Sequence, residues 1–194
     1  MSSNSKTIPD KYTEDEREIS QLIISISRGN EESLERLYER TSSLVFGLIL
    51  KILSDRQEAE EVLADVYLQI WEKASTYGPS RSKPVSWILM ISRSRSIDKL
   101  RSGSKRRSLT QEIDDSFTDK DNNPETNSIA DEKRTIIQKA MKELSDNQKE
   151  AIELAYYFGM SQSEIAQEMD QPLGTVKSWI RFGMKKLREQ IKKV

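Results

Sequence analysis

The sequence predicts an all-α protein of two small helical domains joined by a flexible acidic linker, the C-terminal domain carrying a helix-turn-helix. Three observations predict it. Apolar residues recur at helical spacing in a series of stretches on both sides of the middle of the chain. Charged residues make up 32% and aromatics 7%, with seven Gly and five Pro in 194 residues, a charged, soluble and helical composition. Between the patterned halves lies a polar, acidic stretch with almost no apolar residues. It cannot bury enough surface to offset the entropy lost on ordering, so disorder is its expected state.

In chain order, residues 1 to about 12 read as a disordered tail. Residues 14–28 carry Ile19, Leu22, Ile23 and Ile26 at helical spacing, and Gly29-Asn30 ends that helix in a turn. A longer helix over 31–53 has a charged first half and a nearly all-apolar second half, so its later turns are expected to be buried. Asp55 caps a helix over 56–73 whose stripe is Ala59, Val62, Leu63, Val66, Tyr67, Ile70 and Trp71, with Glu58, Glu60, Glu61, Asp65 and Glu72 on the other face. Residues 75–84 are a loop by their Gly-Pro, Ser and Pro content. The next helix, 85–100, has Val85, Trp87, Ile88, Ile91, Ile97 and Leu100 as inner positions, and Arg93, Ser94, Arg95, Asp98 and Lys99 as outer ones.

Beyond the linker, a helix over 133–144 is followed by one over 146–158, opened by the capping box of Ser145 and Gln148 and closed by Gly159. Ser161 with Glu164 is another capping box, and Asp170-Gln171-Pro172 breaks the short helix that follows it. A last helix starts near Leu173, with Val176, Ile180, Gly183 or Met184, and Leu187 inward. Its other face carries Thr175, Lys177, Ser178, Arg181, Lys185 and Arg188. Two helices about a tight turn, the second apolar on one side and basic on the other, form a helix-turn-helix pattern.

The net charge of −1 conceals a segregation. Over 81–107 nine basic residues face only Asp98; over 109–132 eight acids face only Lys120; over 173–194 seven basic residues face only Glu189. Two basic blocks separated by an acidic one suggest two nucleic-acid contacts on a bipartite chain. Basic residues interleaved with an aromatic over 85–107 suit a strand whose phosphates are neutralised while a base stacks or is extruded. There is no Cys, so no disulfide or thiolate metal site, and no His, the commonest general base and metal ligand. No cofactor or metal is called for. The polar start MSSNSKTIPDKY is no signal peptide, and no apolar run approaches about 18 residues, so no membrane insertion and a cytoplasmic location are expected.

The C-terminal wording Ser163-Glu164-Ile165-Ala166, Gly174-Thr175-Val176-Lys177-Ser178 and Lys186-Leu187-Arg188 resembles the DNA-binding region of bacterial extracytoplasmic-function (ECF) sigma factors. AEEVLADVYLQIW over 59–71 is similar to the sigma-factor helix that docks on the polymerase clamp. Trp87-Ile88, Ile91, Arg93, Ile97-Asp98 and Leu100-Arg101 resemble the part that melts and reads the minus-ten element.

The resemblance implies a sigma factor, not an enzyme, that binds core RNA polymerase and promoter DNA. It implies a polymerase-binding and melting domain over 14–107, a flexible linker over 108–131 and a domain for the minus-thirty-five element over 132–194. Glu60, Glu61 and Asp65 are the expected polymerase contacts. Trp87, Arg93, Arg95, Lys99 and Arg101 are expected on the melted downstream element, and the loop before their helix is expected to pocket a flipped base. Thr175, Lys177, Ser178, Arg181 and Lys185 are expected on the upstream element. The chain departs from the family's commonest letters at Ala64, Ser94, Trp179 and Phe182. Neither of the last two can make the bidentate contact that arginine makes to guanine.

The free chain is expected to be a monomer, and an anti-sigma factor is a candidate further partner. The rival reading, an operator-binding repressor, requires a self-complementary dimer surface and leaves the second basic-aromatic helix without a role. A carboxylate nuclease using the acids of 58–72 lacks a partner cluster of acids nearby.

Overall fold

The computed structural model describes residues 7–103 and 140–191, which form helices and turns with no strand among them. They fall into two compact units divided at 106/107. The linker expected over 108–131, the basic residues 104–107 and most of the helix expected over 133–144 lie outside the described residues.

The N-terminal unit is built from α1 (Glu14–Ile26), α2 (Glu31–Leu53), α3 (Arg56–Lys73), a 3-10 turn (Ala74–Thr76) and α4 (Pro84–Gly103). Each of the first three helices starts where a side chain takes over an orphan amide. Thr13 and Glu16 form a capping box on α1, Asn30 accepts from the Ser33 amide, and Asp55 accepts from the Glu58 amide. Helix α2 lies at the centre, packed against α1, α3 and α4. Its Leu37, Val45 and Ile49 are fully buried, each stabilising the fold by about 1.5–3 kcal/mol.

The second half of α2 departs from expectation. Val45, Ile49, Ile52 and Leu53 are buried, but Leu44 is 52% exposed. A helix turns its side chains through 3.6 residues per turn, so an unbroken apolar run still presents some of them outward.

Buried, satisfied hydroxyls complete this core. Tyr67 donates to Thr41 Oγ1 at 2.6 Å, since the Thr41 proton is already given to the Leu37 carbonyl at 2.6 Å. Tyr77 and Ser20 pair at 3.0 Å. Burial pushes both phenols up to about 12. On α4, Ser92 and Ser96 are fully buried and donate to the Ile88 and Ser92 carbonyls, at 2.9 and 2.8 Å. Small satisfied side chains there let α4 sit close to its neighbours.

The expected disordered tail also needs correcting at its end. Tyr12 is 5% exposed and hydrogen-bonded into the unit. An aromatic with a polar tip buries well once that tip finds acceptors, and here the acceptors are far away in sequence.

The C-terminal unit contains α5 (Asp146–Tyr157), α6 (Gln162–Glu168) and α7 (Leu173–Ile191). Both expected capping boxes form, Ser145 with Gln148 and Ser161 with Glu164. Gly159 takes a φ of +65°, the left-handed conformation that ends a helix most cheaply in glycine. Asp170 takes a φ of +48° in the turn between α6 and α7. Ala151, Ile165 and Val176 form a fully buried cluster, one residue from each helix.

Tyr156 on α5 faces outward, and the inward member of the Gly183/Met184 alternative is Gly183. A Cβ on Gly183 would stand 2.6 Å from Ile152 Cδ1 and 3.5 Å from Gln148 Cβ, so a side chain there would displace the end of Ile152. Among the described residues, no helix is long and apolar enough to cross a membrane.

Candidate nucleic-acid and polymerase interfaces

Helix α7 presents its two faces as the spacing requires. Val176 and Gly183 are buried, with Ile180 and Leu187 half-buried beside them, while Lys177, Ser178, Arg181, Lys185 and Arg188 are exposed. At about 100° per residue these five span roughly a quarter of the helix circumference, opposite the core. Thr175 is half-buried on the flank of this arc. Ser178 donates to the Gly174 carbonyl at 2.9 Å, and Lys185 lies 3.8 Å from Glu189. The Arg181 guanidinium sits 5.4 Å from the centroid of the half-exposed Phe182 ring. Such cation–π contacts are weak when solvated, so the guanidinium is readily released to a base or phosphate. Trp179 is half-buried, packed against the Ala151–Ile165–Val176 cluster.

On α4 the expected cations do not form one face. Arg95 and Lys99 turn toward α3: Arg95 Nε donates to Gln69 Oε1 at 2.9 Å and Lys99 Nζ to Glu61 Oε2 at 2.8 Å. The Glu61 carboxylate hydrogen-bonds and attracts the Lys99 ammonium, raising its pKa above the ordinary lysine value. Helical spacing puts Arg93 and Arg101 about 180° round from that pair. Sequence reading had grouped these residues by polarity alone, and α4 is flanked by α1, α2 and α3, which splits its polar surface. Trp87, at 7% exposure and 5.4 Å between centroids from Tyr77, stands in the core rather than on a surface.

The acids of α3 are likewise divided. Glu61, Asp65 and Glu72 share one face with Leu68, which is 58% exposed. Glu60 lies about 100° away, paired with Arg56 at 3.0 Å. Leu68 was missed because it lies off the apolar stripe. That very displacement, a large apolar side chain among acids, was the available signal.

These features place a helical unit with a mixed acidic and basic surface ahead of a helix-turn-helix unit. Residues 37–106 match the family described as Sigma-70 region 2, and residues 134–187 match Sigma-70, region 4. The ECF RNA polymerase sigma factor SigK of Mycobacterium sp. (strain KMS) is 31% identical over 169 residues, covering 86% of this chain and 87% of that protein. SigK of Mycolicibacterium vanbaalenii is 32% identical over 175 residues, covering 89% and 88%. Rhodobacter sphaeroides SigE, solved in complex with the anti-sigma ChrR, is 30% identical, covers 90% of this chain and 98% of its own, and superposes with a TM-score of 0.46. The chain belongs to the ECF sigma factors. It directs RNA polymerase to promoters and is a transcription initiation factor rather than an enzyme. The operator-binding repressor is thereby set aside.

Proposed function

We propose that the two units divide promoter recognition between them, with the boundaries expected from sequence: 14–107 for polymerase binding and melting, 108–131 as tether, and 132–194 for the upstream element. The observation that carries this division is that each unit has its own helix that buries part of its surface in a core and carries cations outside it, α4 in the first, on two sides, and α7 in the second, on one. On α7, Lys177, Ser178, Arg181 and Lys185 enter the major groove of the minus-thirty-five element, and Thr175 holds the adjoining backbone. On α4, Arg93 and Arg101 from one side, and Arg95 and Lys99 from the other, neutralise phosphates of the opened minus-ten element. Trp87 supports them from the core. The loop 77–83, with Arg81 exposed, takes a base of the opened strand.

Core polymerase docks on the face of α3 that carries Glu61, Asp65 and Leu68, with Glu60 contributing from its edge. An exposed leucine ringed by carboxylates suits a basic surface with an apolar centre. Two modules on one tether gain affinity through effective concentration when their sites lie at a compatible spacing. Polymerase supplies that spacing by holding both. The free chain is then a monomer in the cytoplasm, and an anti-sigma factor is the further partner we assign, in keeping with the Rhodobacter SigE–ChrR pair.

The test is charge reversal of Glu61 and Asp65 together. Binding to core polymerase is expected to fall with helicity unchanged by circular dichroism. Undiminished binding would move the docking face elsewhere.

A further inference from the structure

The stretch from Tyr12 to Ser20 makes a series of bonds to one short loop some sixty to seventy residues further on. The Tyr12 hydroxyl shares its proton between the carbonyls of Pro79, at 2.6 Å, and Ser82, at 2.7 Å. Glu16 Oε1 accepts from Lys83 Nζ at 2.6 Å, while its other oxygen accepts from the Thr13 amide in the capping box at 3.2 Å. Ser20 pairs with Tyr77 at 3.0 Å, and both are buried.

Tyr12 is itself held in place. Its amide donates to the Pro9 carbonyl at 3.1 Å, and Arg17 donates to the carbonyls of Tyr12, at 3.1 Å, and Asp10, at 2.6 Å.

The loop's own bonds are few by comparison. The amides of Arg81 and Ser82 donate to the Gly78 carbonyl at 2.9 and 3.3 Å, closing one turn. The Arg81 stem lies over Gly78, where a Cβ would stand 3.4 Å from Arg81 Cδ. Tyr77 and Pro79 point inward and Ser80 and Arg81 outward. A turn of this length without a ladder samples several conformations unless something outside it fixes the carbonyls. Here two of those carbonyls converge on one phenol.

We infer that Tyr12 is a positioning residue for promoter reading: it holds loop 77–83 in the one conformation that accepts an unpaired base of the opened strand. The inference rests on the reading of that loop given above. A loop already ordered in the free protein does not lose conformational freedom when it binds, and a fixed turn discriminates between bases where a mobile one adapts to each. Tyr12 touches no DNA in this arrangement. It acts through the Pro79 and Ser82 carbonyls.

The experiment uses holoenzyme assembled from core polymerase and the full chain, wild type or Tyr12→Phe, which keeps the ring and removes only the hydroxyl. Affinity is measured on pre-melted promoters carrying each of the four bases at each position of the opened minus-ten element. Tyr12→Phe is expected to reduce discrimination at one position at least about fivefold, the low end of a lost base contact. Preferences at the other positions and affinity for core polymerase are expected to stay unchanged. Amide hydrogen exchange on the free chain is expected to speed up in loop 77–83 and not in α2 or α3.

Discrimination equal to wild type, or an equal loss at every position with exchange faster throughout the unit, would reduce Tyr12 to a stabilising residue and overturn the inference. If wild type shows no preference at any position, the reading of the loop fails, and the role of Tyr12 fails with it.

Discussion

The two units bury their helices in different ways. In the N-terminal unit α2 and α4 each pack against the three other helices, and the buried set runs from Tyr12 to Ile97. In the C-terminal unit each of α5, α6 and α7 sends a single fully buried residue into the shared cluster, and much of α7 is left outside. The difference follows from what each has to present. A helix that enters a groove needs most of one side free, so the C-terminal unit relies on capping boxes and one close helix approach. On the proposed function the N-terminal unit acts through edges and a loop, and those need a rigid body behind them.

The sharpest way to break this contrast is a cavity in the smaller core. Ile165→Ala removes one member of the buried cluster of three and is expected to cost about 2–5 kcal/mol. That is enough to unfold the C-terminal unit while the N-terminal unit melts at its wild-type temperature, read as a split transition by calorimetry. A single transition moved as a whole would mean that the units are not energetically separate.

Alkali acts on the other side of the comparison. Tyr67 and Tyr77 are neutral in the fold, with pKa values pushed up to about 12 from 10.0 in the open chain. Their contribution is therefore full below pH 10 and is lost as pH climbs toward 12, by roughly 2–3 kcal/mol each. The N-terminal unit is expected to lose stability across that window, with tyrosinate absorbance rising as it unfolds. Tyr67→Phe is expected to blunt the dependence. A flat stability over the same range would show that the phenols are not shielded.

A smaller effect is expected at Gly183. A valine there meets Ile152 Cδ1 and forces that side chain out of its place in the core, costing about 1–3 kcal/mol in the C-terminal unit alone. Upstream-element binding is expected to weaken in proportion to the fraction unfolded, and to recover at lower temperature.

How much of this was legible beforehand depended on the range of the interaction. Helices α1, α2 and α3 each bury one stripe, and Ile19, Leu37 or Val62 announces that stripe within a few residues. The capping boxes of Ser145 and Ser161 are equally local. Helix α4 was harder, because Ser92 and Ser96 are buried where a polarity pattern places them outside. The division of its cations into two sides was already present in the helical spacing, and grouping them by polarity alone passed over it. Trp87 was legible as an inner position of α4, whereas Trp179 packs against a cluster two of whose members lie on other helices. Tyr12 was illegible: the carbonyls that bury it belong to Pro79 and Ser82, and no sequence signal connects residues that far apart. Loop 77–83 could be recognised as a loop, but not as a fixed one.

The division of labour between the units is tested most directly by separating promoter binding from promoter opening in one assay. Holoenzymes carrying Arg181→Ala or Arg93→Gln are titrated on one promoter, and permanganate reactivity of minus-ten thymines is scored per bound complex. Arg181→Ala is expected to weaken binding by about 1–3 kcal/mol while leaving reactivity per complex at the wild-type level. Arg93→Gln is expected to bind nearly as wild type and to open less, with pre-melted templates restoring it. Loss of opening by Arg181→Ala at full occupancy, or failure of pre-melted DNA to rescue Arg93→Gln, would contradict the account.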